Sequence, residues 1–413
     1  MSAITAVEVE LSGMAFGGSA FGRLDDGRAV FVPYALEGER VRIELVEEKA
    51  HYVQARLLEV IRPSEKRIAA RCRHFGECGG CHYQHLAYEH QLQVKSAVLA
   101  EQLRRIGNFD HLPPIEVHPS PSPWEYRNIL QFHLTEQGRA GYQRAHSDQT
   151  LAIEECGLPL PPLQGAWKWL EFEPDSDIER ISVRCGYQDE ILLTLESQSP
   201  QAPYVEVEEL PLSVVHLSPA GTLVLAGSDY LWMEVKERLF RLTAGAFFQV
   251  NTGVAAEIVA HLLATLELSP RMTLLDVYCG GGLYSAFLAP HVGRLIGIES
   301  SSQACQDFET NLDEFDHVEL YEAAAEDVLP FMDVLADVML VDPPRSGLTK
   351  AVRQAMAARP PRQLAYISCD PSTFSRDARY LAQAGFVLEK LALFDMFPQT
   401  YHIESVSYWK YPE

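Results

Sequence analysis

The sequence predicts an α/β protein with a small β-barrel at its amino end, a central α+β region and a doubly wound parallel sheet at its carboxyl end. The chain has 413 residues, enough for two or three domains of roughly 150 residues each. Hydrophobic residues make up 47% of it, which supports ordinary globular cores. Glycine-punctuated strand patterns fill residues 1–62, and strands alternate with helices from about residue 241. We therefore expect three domains, over residues 1–62, 63–240 and 241–413.

The composition is strongly acidic. The 34 Lys and Arg residues against 57 Asp and Glu residues give a formal net charge of −23, which argues against an evenly basic nucleic-acid surface. No apolar run approaches the roughly 18–20 residues of a membrane span, and the sequence shows no secretory signal. The expected location is the cytoplasm. A local basic track is expected to contact phosphates, formed by Arg62, Lys66, Arg67, Arg71 and Arg73, with Lys95, Arg104, Arg105, Arg127, Arg139 and Arg144.

Residues 1–62 are predicted to form a closed or half-closed barrel. The stretches ITAVEVELSG, GRAVFVPYA, ERVRIELVEE and YVQARLLEVI show the alternation or β-branched content of strands. Closing the sheet into a barrel hides its edges. OB-like barrels of this size often bind oligonucleotides, although a purely stabilising domain fits the pattern equally well.

Three cysteines follow the basic residues directly. Cys72, Cys78 and Cys81 supply three thiolates, and eight cysteines in 413 residues are too few for a disulfide scaffold. With a fourth thiolate, the spacing fits either a tetrahedral zinc site or an iron–sulfur cluster. The next segment, QHLAYEHQLQVKSAVLAEQLRRIG, has helical periodicity. The nearby histidines are expected at the surface or facing the RNA rather than on a metal, namely His74, His82, His85 and His90.

A nucleotide-type pocket is predicted near the start of the carboxyl-terminal sheet. Asp276 ends an apolar strand in LLDVYCGGG, and glycines at 280–282 let the backbone approach a ligand closely. Glu299 ends the next strand, where a carboxylate suits the hydroxyls of a ribose. The sequence has neither a dinucleotide fingerprint nor a phosphate loop. This combination favours a Rossmann-like class I fold that binds S-adenosylmethionine (SAM) over an unrelated Rossmann-like domain.

Two later strand ends carry reactive groups. Asp342 lies in a rigid Asp-Pro-Pro turn, and Cys369 lies one strand later in the polar turn Ser-Cys-Asp-Pro, where a thiol is a candidate nucleophile. The remaining cysteines outside the cluster segment, Cys185, Cys279 and Cys305, are expected to be buried core residues.

A carboxylate completes this set. Thr400, His402 and Glu404 alternate in FPQTYHIESVSYW and are expected to share one face of an extended segment. Glu404 in an apolar context is a candidate base with a raised pKa. A solvent-facing edge strand is an equally acceptable interpretation of the same pattern.

Together these motifs resemble the RNA uracil-C5 methyltransferase family, which makes 5-methyluridine in rRNA and tRNA. FFQVN, DVYCGGG, VDPPRSG, SCDPSTFSRD and QTYHIESV occur in the family's order, and the resemblance covers nearly the whole chain. The amino-terminal segment FGGSAFGRLDDGRAVFVPYALEGERV resembles a TRAM domain, an OB-like RNA-binding barrel. The layout is most similar to the bacterial 23S rRNA type, with TRAM, cluster and methyltransferase domains.

The resemblance implies roles for particular residues. Cys369 corresponds to the nucleophile and Glu404 to the base. The positions that contact SAM or border the target base correspond to Gln249, Tyr278, Glu299 and Asp342. The central domain would carry a [4Fe–4S] cluster on Cys72, Cys78, Cys81 and Cys156. Leu283 and Ala323 depart from the family pattern, because some members have Asn at these positions.

The implied partner is RNA, with 23S rRNA favoured and tRNA as the alternative; no membrane partner is expected. Two further alternatives are a cytosine-C5 methyltransferase and a non-catalytic iron–sulfur RNA-binding protein. The first predicts a Pro-Cys or Thr-Cys nucleophile, whereas this chain has Asp-Pro-Pro and Ser-Cys-Asp at the corresponding strands. The second has no need of Cys369 or Glu404, and both are present.

Overall fold

A closed five-stranded barrel forms the amino end of the computed structural model, which describes residues 6–168, 170–173, 176–203, 205 and 212–412. The strands pair in the order β1-β2-β3-β5-β4, and β4 pairs with β1. Alternate apolar side chains, such as Val30 and Ile43, fill the barrel and are fully buried. The predicted barrel is therefore confirmed. Its strands are β1 (Ala6–Met14), β2 (Ser19–Arg23), β3 (Ala29–Pro33), β4 (Arg40–Glu48) and β5 (Tyr52–Arg62).

A seven-stranded sheet forms the middle of the molecule, in the order β13-β12-β11-β10-β7-β8-β9. Its neighbouring strands are antiparallel except β11 and β12. The elements up to the end of this region are α1 (Tyr88–Arg105), β6 (Ile115–His118), β7 (Ile129–Leu134), β8 (Ala140–Gln143), β9 (Thr150–Ala152), β10 (Ile178–Cys185), β11 (Ile191–Ser197), β12 (Leu212–Ser218), β13 (Gly221–Ala226), and the hairpin of β14 (Tyr230–Val235) and β15 (Arg238–Thr243).

The carboxyl-terminal part is the predicted doubly wound sheet, in the order β18-β17-β16-β19-β20-β22-β21-β6. The strands from β18 to β20 are parallel, and β22 runs antiparallel to both of its neighbours. Its elements are α2 (Thr252–Thr265), β16 (Thr273–Val277), α3 (Leu283–Leu288), β17 (Arg294–Glu299), α4 (Ser302–Asn311), β18 (Val318–Glu322), α5 (Ala325–Val328), β19 (Val338–Val341), α6 (Lys350–Ala358), β20 (Gln363–Ser368), α7 (Pro371–Gln383), β21 (Val387–Phe394) and β22 (Glu404–Lys410).

The strand order reverses at β16, so β17 lies on one side of it and β19 on the other. In sheets of this kind, ligands bind beyond the carboxyl ends of the strands at such a switch point. The apolar strands are buried between two layers of helices, with Leu274 and Leu340 in one core and Val341 and Tyr366 in the other.

An early part of the chain also packs on this sheet. Strand β6 pairs in parallel with β21 at the sheet's outer edge, and α1 buries Leu99 and Leu103 in the same core as Phe374 of α7. The Pro/Ser-rich sequence around β6 gave no indication of a strand. None of the helices in the described ranges is long and apolar enough to cross a membrane.

Candidate active site and cysteine cavity

The carboxyl edge of the eight-stranded sheet gathers the side chains that the sequence analysis selected. Tyr278, Asp342 and Cys369 come directly after β16, β19 and β20, and Glu299 is the last residue of β17. Because β22 is antiparallel, its first residue, Glu404, lies at this same edge. The topology therefore brings residues from five strands to one site.

Cys369 and Glu404 belong to neighbouring strands. Ser368 of β20 pairs with Ser405 of β22, so one step further along this register Cys369 faces Glu404. Strand β22 lies between β20 and β21, and Glu404 is only 3% exposed. The interpretation of this segment as a solvent-facing edge strand is therefore wrong.

The residues before Glu404 are not extended as the alternation predicts. The Thr400 hydroxyl donates to the carbonyl of Phe397 at 2.8 Å and accepts the N–H of His402 at 3.2 Å, which makes a local turn. The expected extended segment over Thr400, His402 and Glu404 is wrong, because strand β22 begins only at Glu404.

The surroundings of the thiol favour its protonated form. Burial, with the carboxyl groups of Glu404 and Asp342 nearby, raises the pKa of Cys369 to about 12, while Arg345 acts in the opposite direction. Burial and the neighbouring Asp342 likewise raise the pKa of Glu404 well above its usual range. In the free protein these groups hold protons that a reaction through a thiolate or carboxylate must first remove.

Glu299 anchors the glycine loop. Its carboxylate accepts the backbone N–H of Gly280 at 3.0 Å and those of Ser300 and Ser301 at 2.8 and 2.7 Å. Gly282 has φ +84°, and a Cβ there would lie 2.3 Å from the side chain of Leu312. This position therefore requires glycine, and the loop leaves a fixed carboxylate at the end of β17.

Two further carboxyl groups of the pocket are buried and have raised pKa values. Asp276 accepts the Ser285 hydroxyl at 2.6 Å through Oδ2, but its buried Oδ1 has no hydrogen-bond partner among the described residues. Burial raises the pKa of Asp276 to about 7, and burial beside Asp276 does the same for Asp342. In the same part of the chain that the structure describes, the buried hydroxyl of Tyr278 also lacks a partner. Such a set of open acceptors suits a ligand that brings positive charge.

The remaining predicted cofactor position and the two departures from the family pattern also lie around this pocket. Gln249 is 7% exposed, and its Nε2 donates to the Tyr284 hydroxyl at 3.4 Å. Leu283 begins α3 and is buried, so it presents no polar group. Ala323 follows β18 and donates its N–H to the Glu299 carbonyl at 2.8 Å. The structure places no side-chain hydrogen-bonding group at either departure.

The four cysteines of the predicted cluster line one cavity of about 160 Å³. The Cys78 sulfur accepts the N–H of Gly80 at 3.4 Å. Burial raises the pKa of the other three thiols, and His74, Leu158 and Gln84 act in the opposite direction on Cys72, Cys156 and Cys81, respectively. Such donors stabilise thiolates that hold a metal centre.

The sulfur atoms of these described cysteines are more widely separated than the ligands of a single metal ion. Among the described residues, no three of the four lie within 4.8 Å of one another. Thiolates around one zinc ion, at about 2.3 Å from it, would be only about 3.8 Å apart. A cluster spreads its four thiolates over several iron atoms, which allows wider separations than a single ion does.

The basic track is not a set of free cations. Arg67 binds Glu39, a side chain with no exposure, at 2.6 Å, and Arg73 binds Glu154 at 2.6 Å. Lys95 is 1% exposed and donates to Asp395. The expectation of phosphate contacts is wrong for Lys95, because it is buried and its charge neutralises a buried carboxylate. Arg67 also pairs with a buried carboxylate, but its side chain is 23% exposed.

The expected surface or RNA-facing position of the histidines is wrong for His85. His85 is 2% exposed, and burial lowers its pKa and that of His82 to about 4. His74 accepts the N–H of Glu154 at 3.1 Å. The expectation for the other cysteines is confirmed, since all three of them are buried: Cys185, Cys279 and Cys305.

A cleft of about 680 Å³ separates the barrel from the seven-stranded sheet. Gly18 and Tyr34 of the barrel, His82 of the cysteine segment and Arg144 line it, together with Tyr401. The Tyr401 ring packs on His82 with centroids 4.5 Å apart, and Glu404 follows three residues later in the chain. Sequence reasoning missed Tyr401, whose one available indication was an aromatic residue inside the QTYHIESV motif.

Comparisons with known proteins identify the family. Residues 205–410 match the tRNA (Uracil-5-)-methyltransferase family, and residues 5–58 match the TRAM domain. An RNA methyltransferase of Thermosynechococcus vestitus is 31% identical over 97% of each chain. One of Aquifex aeolicus is 32% identical over 95% of this chain and 96% of its own. The chain belongs to the RNA uracil-C5 methyltransferase family.

A solved structure agrees with this membership at the level of the fold. The Pyrococcus abyssi tRNA (uracil-54, C5)-methyltransferase, in complex with S-adenosyl-L-homocysteine, is 22% identical and covers 98% of this chain and 100% of its own, with a TM-score of 0.76. The predicted family and the amino-terminal TRAM domain are confirmed. RNA is the substrate class, and SAM is the methyl donor that a methyltransferase of this family requires.

Proposed function

We propose that this chain methylates C5 of a uridine in RNA, with Cys369 as the nucleophile and Glu404 as the base. The observation that carries the proposal is the register of β20 and β22, which sets these two residues opposite each other beside the glycine-loop pocket. A thiol and a carboxyl group in contact are the two groups that this chemistry needs.

The proposed sequence begins with attack by Cys369. Uracil C5 is a weak nucleophile, and addition of the Cys369 thiolate to C6 makes an enolate that pushes electron density onto C5. C5 then takes the methyl group, and the sulfonium electrons return to sulfur as a neutral thioether. Glu404 removes the proton from C5, the ring double bond re-forms, and the thiolate leaves C6. The electrons and the proton balance without any further reactant.

The acidity of the site supports a cationic methyl donor. Three carboxyl groups, Asp276, Asp342 and Glu404, have raised pKa values because burial leaves their charge uncompensated. A sulfonium or ammonium group among them would favour their ionised forms and the Cys369 thiolate. We assign SAM contacts in a class I pocket to Gln249, Tyr278, Glu299 and Asp342, with the Glu299 carboxylate on the ribose.

We further propose that Cys72, Cys78, Cys81 and Cys156 hold a [4Fe–4S] cluster. Support comes from the shared cavity, from the Gly80 N–H at the Cys78 sulfur and from separations too large for one zinc ion. When bound, the cluster would cross-link the loop of residues 72–81 to Cys156. We also propose three domains over residues 1–62, 63–240 and 241–413, except that α1 and β6 belong with the carboxyl-terminal domain because they pack on its sheet.

The large-subunit 23S rRNA is the proposed substrate, because the chain combines a TRAM barrel with the cysteine segment. The second candidate is tRNA, which the names of the matching family and of the Pyrococcus abyssi protein favour. In either RNA the target uridine must leave its stack to reach a buried thiol, so an unpaired or distorted site is expected. We propose the cleft at Tyr401 as the path of the RNA.

The test is to incubate the anaerobically purified protein and labelled SAM with total RNA from cells lacking 5-methyluridine. Methylated nucleosides are then mapped. We expect 5-methyluridine in 23S rRNA and none with Cys369→Ala. The same nucleoside in tRNA alone would support the second substrate. Methylated cytidine, or full activity of Cys369→Ala, would overturn the proposal.

A further inference from the structure

We propose that Glu116, His118 and His261 form a binding site for a divalent transition-metal ion of the zinc class. One ligand atom from each side chain lies within 4.8 Å of the other two. Glu116 and His118 occupy alternate positions of strand β6, and His261 lies on helix α2. This site is separate from the cysteine cavity and does not depend on the proposed function.

The contact between the first two residues is better suited to a shared ion than to a hydrogen bond. Nε2 of His118 lies 3.1 Å from a carboxylate oxygen of Glu116. This nitrogen is buried, yet it makes no hydrogen bond to any of the residues that the structure describes. Two atoms that bind one zinc ion at about 2.1 Å would be separated by roughly 3.4 Å in a tetrahedral site. The observed separation is close to that value.

The imidazole rings are held by packing. The His118 ring stacks on Phe394, with centroids 4.3 Å apart and planes within 7°. The His261 ring meets both of these rings edge-on, at 5.4 Å from each. Because packing fixes the rings before an ion arrives, binding costs little side-chain ordering.

The donor set indicates the type of ion. Two imidazoles and one carboxylate favour zinc and its transition-metal neighbours over magnesium or calcium, which prefer oxygen ligands. Glu116 contributes a negative charge at the exposed side of the site. The positive charge of Lys390 on β21 lies close enough to affect His261, and it disfavours the binding of a cation at this site. Three protein ligands leave one position for water.

An ion here would fasten the edge of the large sheet. It would join β6, the outermost strand, to α2, the helix that follows Gln249 in the chain. His118 pairs with Phe394, which in turn pairs with Glu404, so the site lies about 10 Å from Glu404 across two strand spacings. We assign the ion a stabilising role, because Phe394 lies between it and the carboxyl group of Glu404.

The experiment titrates Zn²⁺ into anaerobically purified protein whose cysteine site is loaded, using calorimetry and the thermal midpoint as two readouts. We expect one saturable site beyond the cysteines and a midpoint that rises with Zn²⁺. His118→Phe keeps the stacked ring but removes the ligand, and His261→Gln and Glu116→Gln remove the others. His291→Gln, at an exposed histidine elsewhere, is the matched control.

Each ligand variant should lose about tenfold or more in Zn²⁺ affinity, since even the groups that only orient metal ligands contribute about 10–100-fold. Lys390→Gln should bind Zn²⁺ at least as tightly as the unchanged protein. Equal affinity in the three ligand variants and in His291→Gln would overturn the proposal, as would the absence of saturable binding. The midpoints without Zn²⁺ show whether each variant is folded.

Discussion

Two hydrogen bonds join Gln91 and Gln399, although these residues are 308 positions apart in the sequence. Nε2 of Gln91 donates to Oε1 of Gln399 at 3.0 Å, and Oε1 of Gln91 accepts the backbone N–H of Gln399 at 3.0 Å. The Gln399 carbonyl accepts the N–H groups of His82 and Tyr83 at 2.9 and 3.0 Å. One residue thus joins helix α1, the cysteine segment and the chain that leads to Glu404.

This relationship predicts that Gln91→Ala lowers both stability and methylation. The change leaves buried groups of Gln399 unpaired, which should lower the free energy of unfolding by about 1–3 kcal/mol. It also removes the contacts that hold the backbone of Gln399 in a left-handed conformation with φ +68°. Denaturant unfolding and methylation rates measure the two effects. Gln93→Ala, at an exposed position of the same helix, is the control. Indistinguishable behaviour of the two variants would contradict a positioning role.

The buried ion pair of Lys95 and Asp395 predicts a large loss of stability on breaking one side. The Lys95 ammonium donates to Asp395 at 2.5 Å and to the Phe397 carbonyl at 3.0 Å, and neither side chain is more than 1% exposed. Lys95→Met should cost about 3–5 kcal/mol, because it leaves a buried carboxylate alone. The double variant Lys95→Met with Asp395→Leu should recover part of that loss in denaturant unfolding. Equal losses in the single and double variants would contradict this account.

The affinity for SAM should rise with pH. Burial raises the pKa of Asp276 and Asp342 to about 7, so below that pH both are largely protonated in the free protein. A cationic ligand favours the ionised forms, and binding therefore releases protons. Affinity should increase with pH by up to about tenfold per pH unit for each group that ionises, and it should level off above about pH 7, where both groups are already ionised in the free protein. Calorimetry of SAM binding checks this, and Asp342→Asn should flatten the profile. A flat profile for the unchanged protein would count against the assignment.

The cysteine cavity should contain iron rather than zinc. Protein purified without air should absorb broadly in the visible blue and hold about four iron atoms per chain. Cys156→Ser should lose the absorbance and the iron, whereas Cys305→Ser, at a buried cysteine outside the cavity, should keep both. A colourless protein with stoichiometric zinc would contradict the cluster assignment.

Local patterns predicted the barrel, helix α1, the doubly wound sheet and the positions of Cys369 and Asp342. Each of these depends on strand alternation, helical periodicity or the residue that follows a strand, and such information is local. Strand β6 escaped detection because four residues between prolines give too little periodicity. The pattern at Thr400 and His402 misled because alternation over a few residues occurs in a turn as well as in a strand.

Charge placement was the least predictable feature. Lys95 and Arg67 look like exposed cations in the sequence, yet each neutralises a carboxylate far away in the chain, Asp395 or Glu39. Long-range pairing of this kind, like the contact of Gln91 with Gln399, depends on tertiary packing that no local window contains. The grouping of Glu116 and His118 with His261 arises in the same way.

The most direct test of the central claim is a search for a covalent adduct between Cys369 and RNA. With Glu404→Gln, methyl transfer should proceed and proton removal should fail, so a denaturing gel should show a protein–RNA species that carries the labelled methyl group. That species should be absent when Cys369→Ala is added to the same variant. Full product formation by Glu404→Gln without any adduct, or an adduct that persists without Cys369, would contradict the account.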